Sequence, residues 1–214
     1  MGREFLEIIF LCGVVLQAHL RTYYVQYYNS ARKENFFTKK EKIFLGLVFI
    51  GFYLLPIFYI FTTWFAAIDY TLPNWTGIPA TALFVFGIWL FFRSHADLGK
   101  YWSPGLELKE DHQLVKTGVF THIRHPMYAS FIAIAIAQVF MLQNWLVGPS
   151  FLLSALPLYL NRVNREEKQL ISRFGAEYRD YMKETGRIFP REEIVKEFIY
   201  SRLPEKIREK VKGQ

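Results

Sequence analysis

The chain has a single cysteine, Cys12. That excludes an internal disulfide and any multi-cysteine metal site; lying in an apolar run, Cys12 reads as a small packing residue. No strand–GxGxxG–helix unit is present, so a Rossmann-type pocket is not expected. Internal repeats, low-complexity tracts and a second domain are absent as well. Charge is missing over long stretches: there is no Asp, Glu, Lys or Arg from 8 to 20, from 43 to 64, or from 125 to 161. The last of these runs is too long for one membrane crossing of ~20 residues.

What is there fits that pattern. Hydrophobic residues make up 52% and aromatics 18% of the 214 residues, and their arrangement in uncharged runs marks an integral membrane protein. The net charge of +7 does not point to nucleic acid, because the basic residues fall between the runs, where they orient helices. Residues 8–20, extended by Phe5 and Leu6, predict a first helix; no small-residue cleavage site follows, as a signal peptide would require. Tyr23, Tyr24, Tyr27 and Tyr28 suit an interfacial belt, with His19 as a packing or interfacial residue. Residues 43–64 predict a second helix kinked at Pro56, and residues 78–92 a third.

The run from 125 to 161 predicts a hairpin of two further helices, broken around Asn144–Pro149 near Gly148. The fold class is therefore all-α, with five transmembrane helices ending in a C-terminal hairpin. Lys and Arg crowd 21–42, 93–124 and the region after Arg162, and are absent from 65–77 and 144–149. The positive-inside rule then places the N-terminus outside and the C-terminus in the cytoplasm. The hairpin returns His125 and Arg162 to the same cytoplasmic face. There Pro126 starts a helix with His125 as its cap, and free N–H groups at such an end attract an anion. Arg162 and Glu166 stand four apart at the end of the fifth helix, on one face. Read on spacing alone, the choice between a site and a solvated ion pair stays open. The division expected is a membrane domain over 1–190, with its catalytic half at 98–190, and an amphipathic tail over 191–214.

Five motifs carry a closer likeness. His112-Gln113-Leu114-Val115, Thr117-Gly118-Val119-Phe120, Arg124-His125-Pro126-Met127-Tyr128, Arg162 with Glu166-Glu167, and Phe174-Gly175-Ala176-Glu177-Tyr178 with Tyr181 closely resemble the isoprenylcysteine carboxyl methyltransferase family over about residues 98–190. The five-helix layout is similar to that of its small prokaryotic members. The resemblance implies an integral membrane methyltransferase that uses S-adenosylmethionine, releases S-adenosylhomocysteine, and binds both in a pocket open to the cytosol. It places His112, Gln113, Leu114, Val115, Phe120 (where the family often has tyrosine), His125, Pro126, Met127, Tyr128 and Glu166 at the cofactor, with Glu107 as a looser transfer. Arg162 becomes the substrate-binding residue and, with Glu166, the catalytic pair. The acceptor implied is a lipophilic or lipidated carboxylate arriving from the bilayer. The alternatives are a phospholipid or other amine N-methyltransferase and an NADPH-dependent membrane sterol or enone reductase; the Glu166-Glu167 pair argues against a polyanionic cofactor. Metal binding is not expected, since the histidines already belong to these motifs. His95 and His122 are unassigned.

Overall fold

The computed structural model describes residues 2–29, 37–102, 113–192 and 196. Six helices account for most of it: α1 Arg3–Asn29, α2 Lys39–Phe61, α3 Gly77–Leu98, α4 Pro126–Leu142, α5 Val147–Phe174 and α6 Ala176–Glu184. No sheet forms among the described residues, only two isolated bridges, Asp69 with Asn144 and Ile123 with Gly186. Three helical stretches, Arg3–Tyr27, Lys39–Phe61 and Asn74–Tyr101, are long and apolar enough to cross a membrane. Many large apolar side chains on them, among them Val15, Phe61, Ile78 and Val85, remain exposed. Such a surface is untenable in water and natural in lipid, and the chain is an integral membrane protein.

The helices run past the uncharged segments that announced them. α1 reaches Asn29 and α3 reaches Leu98. α5 carries Pro157 inside it and continues to Phe174, so Arg162 and Glu166 lie within a helix and not at its end. The apolar pattern stops short of the helix ends, because nothing in the backbone changes where the charges begin.

The second helix resolves its proline differently from a simple kink. Residues Ile50–Leu54 form a π-helical turn, and the Leu55 N–H donates to Ile50 O. In that register the next donor would be Pro56, which has no N–H. The Gly51 carbonyl so released accepts from Gln138 Nε2 at 3.1 Å and from Ser150 Oγ at 2.7 Å. Gly51 also lets the helices approach, since a Cβ there would come within 2.6 Å of Ser150 O. Gln138, fully buried, further donates to Val147 O at 2.7 Å. Gln138→Leu should therefore lower stability by about 1–3 kcal/mol, the cost of undersatisfied buried carbonyls, read as a fall in thermal midpoint in detergent.

The hairpin turns earlier than Gly148. α4 ends at Leu142, Gln143 adopts a left-handed conformation at φ 44°, and Asn144 Oδ1 accepts from Leu146 N and Val147 N, both at 3.0 Å. Gly148 and Pro149 belong to the first turn of α5. Asn144 Nδ2 donates to Asp69 Oδ1 at 2.7 Å, and Asp69 also pairs with Arg3 at 2.6 Å and accepts from the Tyr59 hydroxyl at 2.8 Å. Asp69, the single charge between α2 and α3, thus ties α1 and α2 to the hairpin tip.

Around the bundle, α2 lies on α5, α5 on α4, and α4 on α3, while α1 packs on α3 and α4. Phe10, Phe52, Phe84, Ile134, Met141 and Phe151 fill the centre. α1 and α2 meet mainly through long side chains: the Phe10 and Phe52 rings, 6.1 Å apart, and the Tyr53 hydroxyl donating to Gln17 Oε1. Nearer the other end of the two helices, Arg3 donates to the Tyr59 hydroxyl and stacks over its ring.

Candidate functional site

A cavity of about 280 Å³ opens inside the bundle at the end where α4 begins. Its inner wall is apolar, with Phe52, Phe131, Phe151 and Leu158. Its outer wall is polar, with Gln17, Arg21, Arg124, His125, Tyr128, Arg162 and Glu166. The hairpin makes this possible by setting the first turn of α4 beside the middle of α5. His125 and Arg162 accordingly share one end of the molecule.

The polar rim is built around Glu167, not Glu166. Glu167 Oε1 accepts from Arg124 Nε at 3.3 Å and Nη2 at 3.2 Å, and from Arg187 Nε at 3.1 Å; Arg187 Nη2 donates to Oε2. His125 Nε2 lies 3.3 Å from the same Oε1, which puts the ring hydrogen on Nε2, because an ionised carboxylate only accepts. His125 occupies the cap position of α4, but its side chain caps nothing. The Glu167 carboxylate has claimed it. Burial pushes the Glu167 carboxyl up, yet His125 and Arg187 outweigh burial and hold it at about 2, below the ordinary 4.5.

The backbone closes the same joint. Arg124 N donates to Gly186 O and His125 N to Arg187 O, each at 2.9 Å, and Gly186 N returns to His122 O at 3.2 Å. The Tyr181 hydroxyl donates to Phe120 O, and Val119 N donates to Asp97 Oδ2 at 2.9 Å. At Gly118, with φ 61°, a Cβ would collide with Asp97 at 2.1 Å. Glycine is required there for the turn that seats Phe120 in the wall.

Among the described residues, Glu166 is the carboxylate that faces the cavity. Its Oε2 accepts from the Tyr128 hydroxyl at 3.0 Å and lies 3.9 Å from His125 Nδ1; its Oε1 has no partner among the described residues. Arg162 Nε stands 3.7 Å from Glu41 Oε1. Glu41 is held on α2 by a capping box, accepting from Thr38 N at 2.9 Å and returning its own N–H to Thr38 Oγ1 at 3.2 Å.

Of the residues singled out in the sequence, Phe120, His125, Pro126, Met127, Tyr128, Arg162 and Glu166 converge on the cavity. Gln113 is exposed and, with the partly buried Leu114 and Val115, lies outside its wall. Glu107 and His112 fall outside the described residues, as does most of the expected amphipathic tail. Sequence reading missed Gln17, Arg21 and Tyr53 from the first two helices, and Glu41 behind Arg162. The signal was available on α1, where Leu6, Phe10, Val14, Gln17, Arg21 and Tyr24 recur at helical spacing and turn polar at the cavity end. His95 is a core residue; its Nδ1 lies 2.8 Å from Phe91 O and its ring packs against Tyr24 and Trp102.

Comparison with known proteins bears on this cavity. The sequence model of the isoprenylcysteine carboxyl methyltransferase (ICMT) family matches residues 80–172. The protein-S-isoprenylcysteine O-methyltransferase of Saccharomyces cerevisiae is 40% identical over 78 residues, covering 36% of this chain and 33% of that protein. The Homo sapiens protein of the same name is 31% identical over 112 residues, 51% of this chain and 39% of that one. The matches thus span only a third to two-fifths of those relatives' lengths. A solved structure of the eukaryotic intramembrane Ras methyltransferase ICMT superposes with a TM-score of 0.50 at 24% identity, over 70% of this chain and 50% of that one, a likeness of fold. The family resemblance drawn from the motifs is shown over the matched region, which holds α3 through Glu167 but neither α1 nor α2.

Proposed function

We propose that the chain is an S-adenosylmethionine-dependent membrane methyltransferase that esterifies the carboxylate of a lipophilic, prenylcysteine-like acceptor. The observation that carries this reading is the cavity itself: Glu166, Tyr128 and the first turn of α4 at its polar end, Arg162 on its wall, and an apolar interior beyond. In this reading five helices cross the bilayer and the cavity faces the cytosol, where the basic residues gather.

The residues suit the cofactor. Glu166 Oε1, unpartnered among the described residues, is placed to accept from its hydroxyl or amino groups, and the positive end of α4 suits its carboxylate. When bound, S-adenosylmethionine supplies a methyl group on a positively charged sulfur. The remaining work falls to the chain. Arg162 presents a planar fork that matches a carboxylate and turns one acceptor oxygen toward the methyl carbon. The cofactor would supply the methyl carbon for the new C–O bond and keep the electron pair of its broken C–S bond, so the chain has no separate leaving group to stabilise. A carboxylate is already ionised at neutral pH, so no general base is needed. Catalysis is then positioning and exclusion of water, which the aromatic wall provides. The cavity lies near the small end of ligand sites, ~300–1,000 Å³, so the acceptor's hydrocarbon lies between helices and enters laterally from lipid.

Titration calorimetry on detergent-purified protein, with S-adenosylhomocysteine and NADPH as competing probes, tests the class. Binding of the first and not the second is expected; the reverse result favours a reductase and removes this proposal. Transfer of labelled methyl to N-acetyl-S-farnesylcysteine, released as methanol by base, separates an ester from an N-methyl product.

A further inference from the structure

Among the described residues three arginines line the cavity, and two of them face carboxylates: Arg124 pairs with Glu167, and Arg162 lies against Glu41. The third, Arg21, has no hydrogen bond or ion pair among the described residues; its guanidinium stands 5.1 Å from the centre of the Trp102 ring. Arg21 is partly buried on the last turns of α1, and its charge is opposed by that of Arg162. One turn deeper, Gln17 accepts from Tyr53 and its amide nitrogen has no partner among the described residues. A cation at this depth is costly unless something negative answers it. An anion placed between Arg21 and Arg162 removes both the repulsion and the deficit. Both residues line the same cavity, together with Gln17 and Tyr53.

We propose that Arg21, assisted by the Gln17 amide, is a second anion-holding residue, gripping the acceptor's carboxylate from the α1 wall while Arg162 grips it from α5. This rests on the carboxylate-acceptor reading above and deepens it. The acceptor must reach the cavity with its acid group uncapped, and α1, which lies outside the family-matched region, takes part in selecting it. The C–O bond forms at whichever oxygen the two guanidiniums leave nearer the methyl group, and the ester product loses the charge that both hold. Product release is then favoured by the loss of the same interaction that bound the substrate.

The test uses the full chain in lipid nanodiscs, with N-acetyl-S-farnesylcysteine, its methyl ester, and S-adenosylhomocysteine as probes in equilibrium binding. The wild type is expected to prefer the acid over the ester by at least about ten-fold, as charge-assisted bonds require. Arg21→Gln is expected to bring that preference within about three-fold while leaving S-adenosylhomocysteine affinity unchanged. Gln17→Glu provides a second arm if Arg21→Gln folds poorly. It sets a carboxylate four residues before Arg21 on the same helix face, and is expected to abolish the acid preference by occupying the guanidinium internally. An acid preference that survives in the folded variant overturns the proposal. So does weakened S-adenosylhomocysteine binding with the preference intact, which assigns Arg21 to the cofactor's carboxylate. A wild type that prefers the acid but transfers no methyl defeats the proposed function and leaves the anion site standing. Equal binding of acid and ester by the wild type removes both.

Discussion

Replacing Arg162 with alanine should lower turnover by about 10²–10³-fold, the usual cost of losing a positioned donor at the reacting group, while S-adenosylhomocysteine affinity stays within a few-fold of wild type. The reason lies in where the side chain sits. Arg162 is on the cavity wall and only 8% exposed, in a helix that supplies Glu166 to the same cavity one turn later. Truncation also strips a cation from the buried Glu41, although Arg165 Nη1, 3.3 Å from the same oxygen, remains. Arg162→Lys separates the two roles. It keeps a charge beside Glu41 but loses the planar fork, so the thermal midpoint should be nearly restored while turnover stays at least about ten-fold down. Labelled methyl transfer and calorimetry on the two variants check this. Wild-type turnover in Arg162→Ala would remove the clamp.

The hairpin was legible because uncharged length and breaker residues are one-dimensional signals, and a run from 125 to 161 has few ways to fit a bilayer. Helix ends were not: α5 passes from an apolar into an amphipathic stretch with no change of backbone, so the apolar boundary at Asn161 fell short of the true end at Phe174. The π-turn before Pro56 was invisible too, since it depends on Gln138 and Ser150 arriving from helices far along the chain. Within the site, the local motif around His125-Pro126 was readable. The choice of Glu167 over Glu166 as the structural carboxylate was not, because adjacent residues on a helix differ by ~100° in direction and only the packed bundle says which faces inward. Arg21 was read as the boundary of the first apolar run; its place on the inner stripe of α1 required following the helix through its charge.

Glu167→Gln is the second variant expected to do large damage, and its damage is structural. The carboxylate holds Arg124, His125 and Arg187 together, with side-chain exposures of 8% for Arg124, 3% for His125 and 5% for Glu167 itself. Removing one member of a buried charged group costs about 3–5 kcal/mol, because the partners left behind stay desolvated. For a chain of this size that is a fall of roughly 10 °C in thermal midpoint. Arg187 is 41% exposed on its side chain and can turn to water, so Arg187→Ala should cost about 1 kcal/mol or less; Arg124 cannot. Acid provides an independent reading. Because the folded protein holds the Glu167 carboxyl at about 2 against an ordinary 4.5, its contribution is complete above about pH 4.5 and is lost as the pH falls from there toward 2. Over that window the wild type should lose stability more steeply than Glu167→Gln, and the two midpoints should converge near pH 2. Parallel curves for the two proteins would mean that the joint between the 122–125 segment, α5 and the 185–187 segment does not depend on this charge. Loss of methyl transfer in Glu167→Gln should then track unfolding and not binding: below its lowered midpoint, the variant should still bind S-adenosylhomocysteine, because Glu167 orders the rim behind His125 while Glu166 faces the cavity.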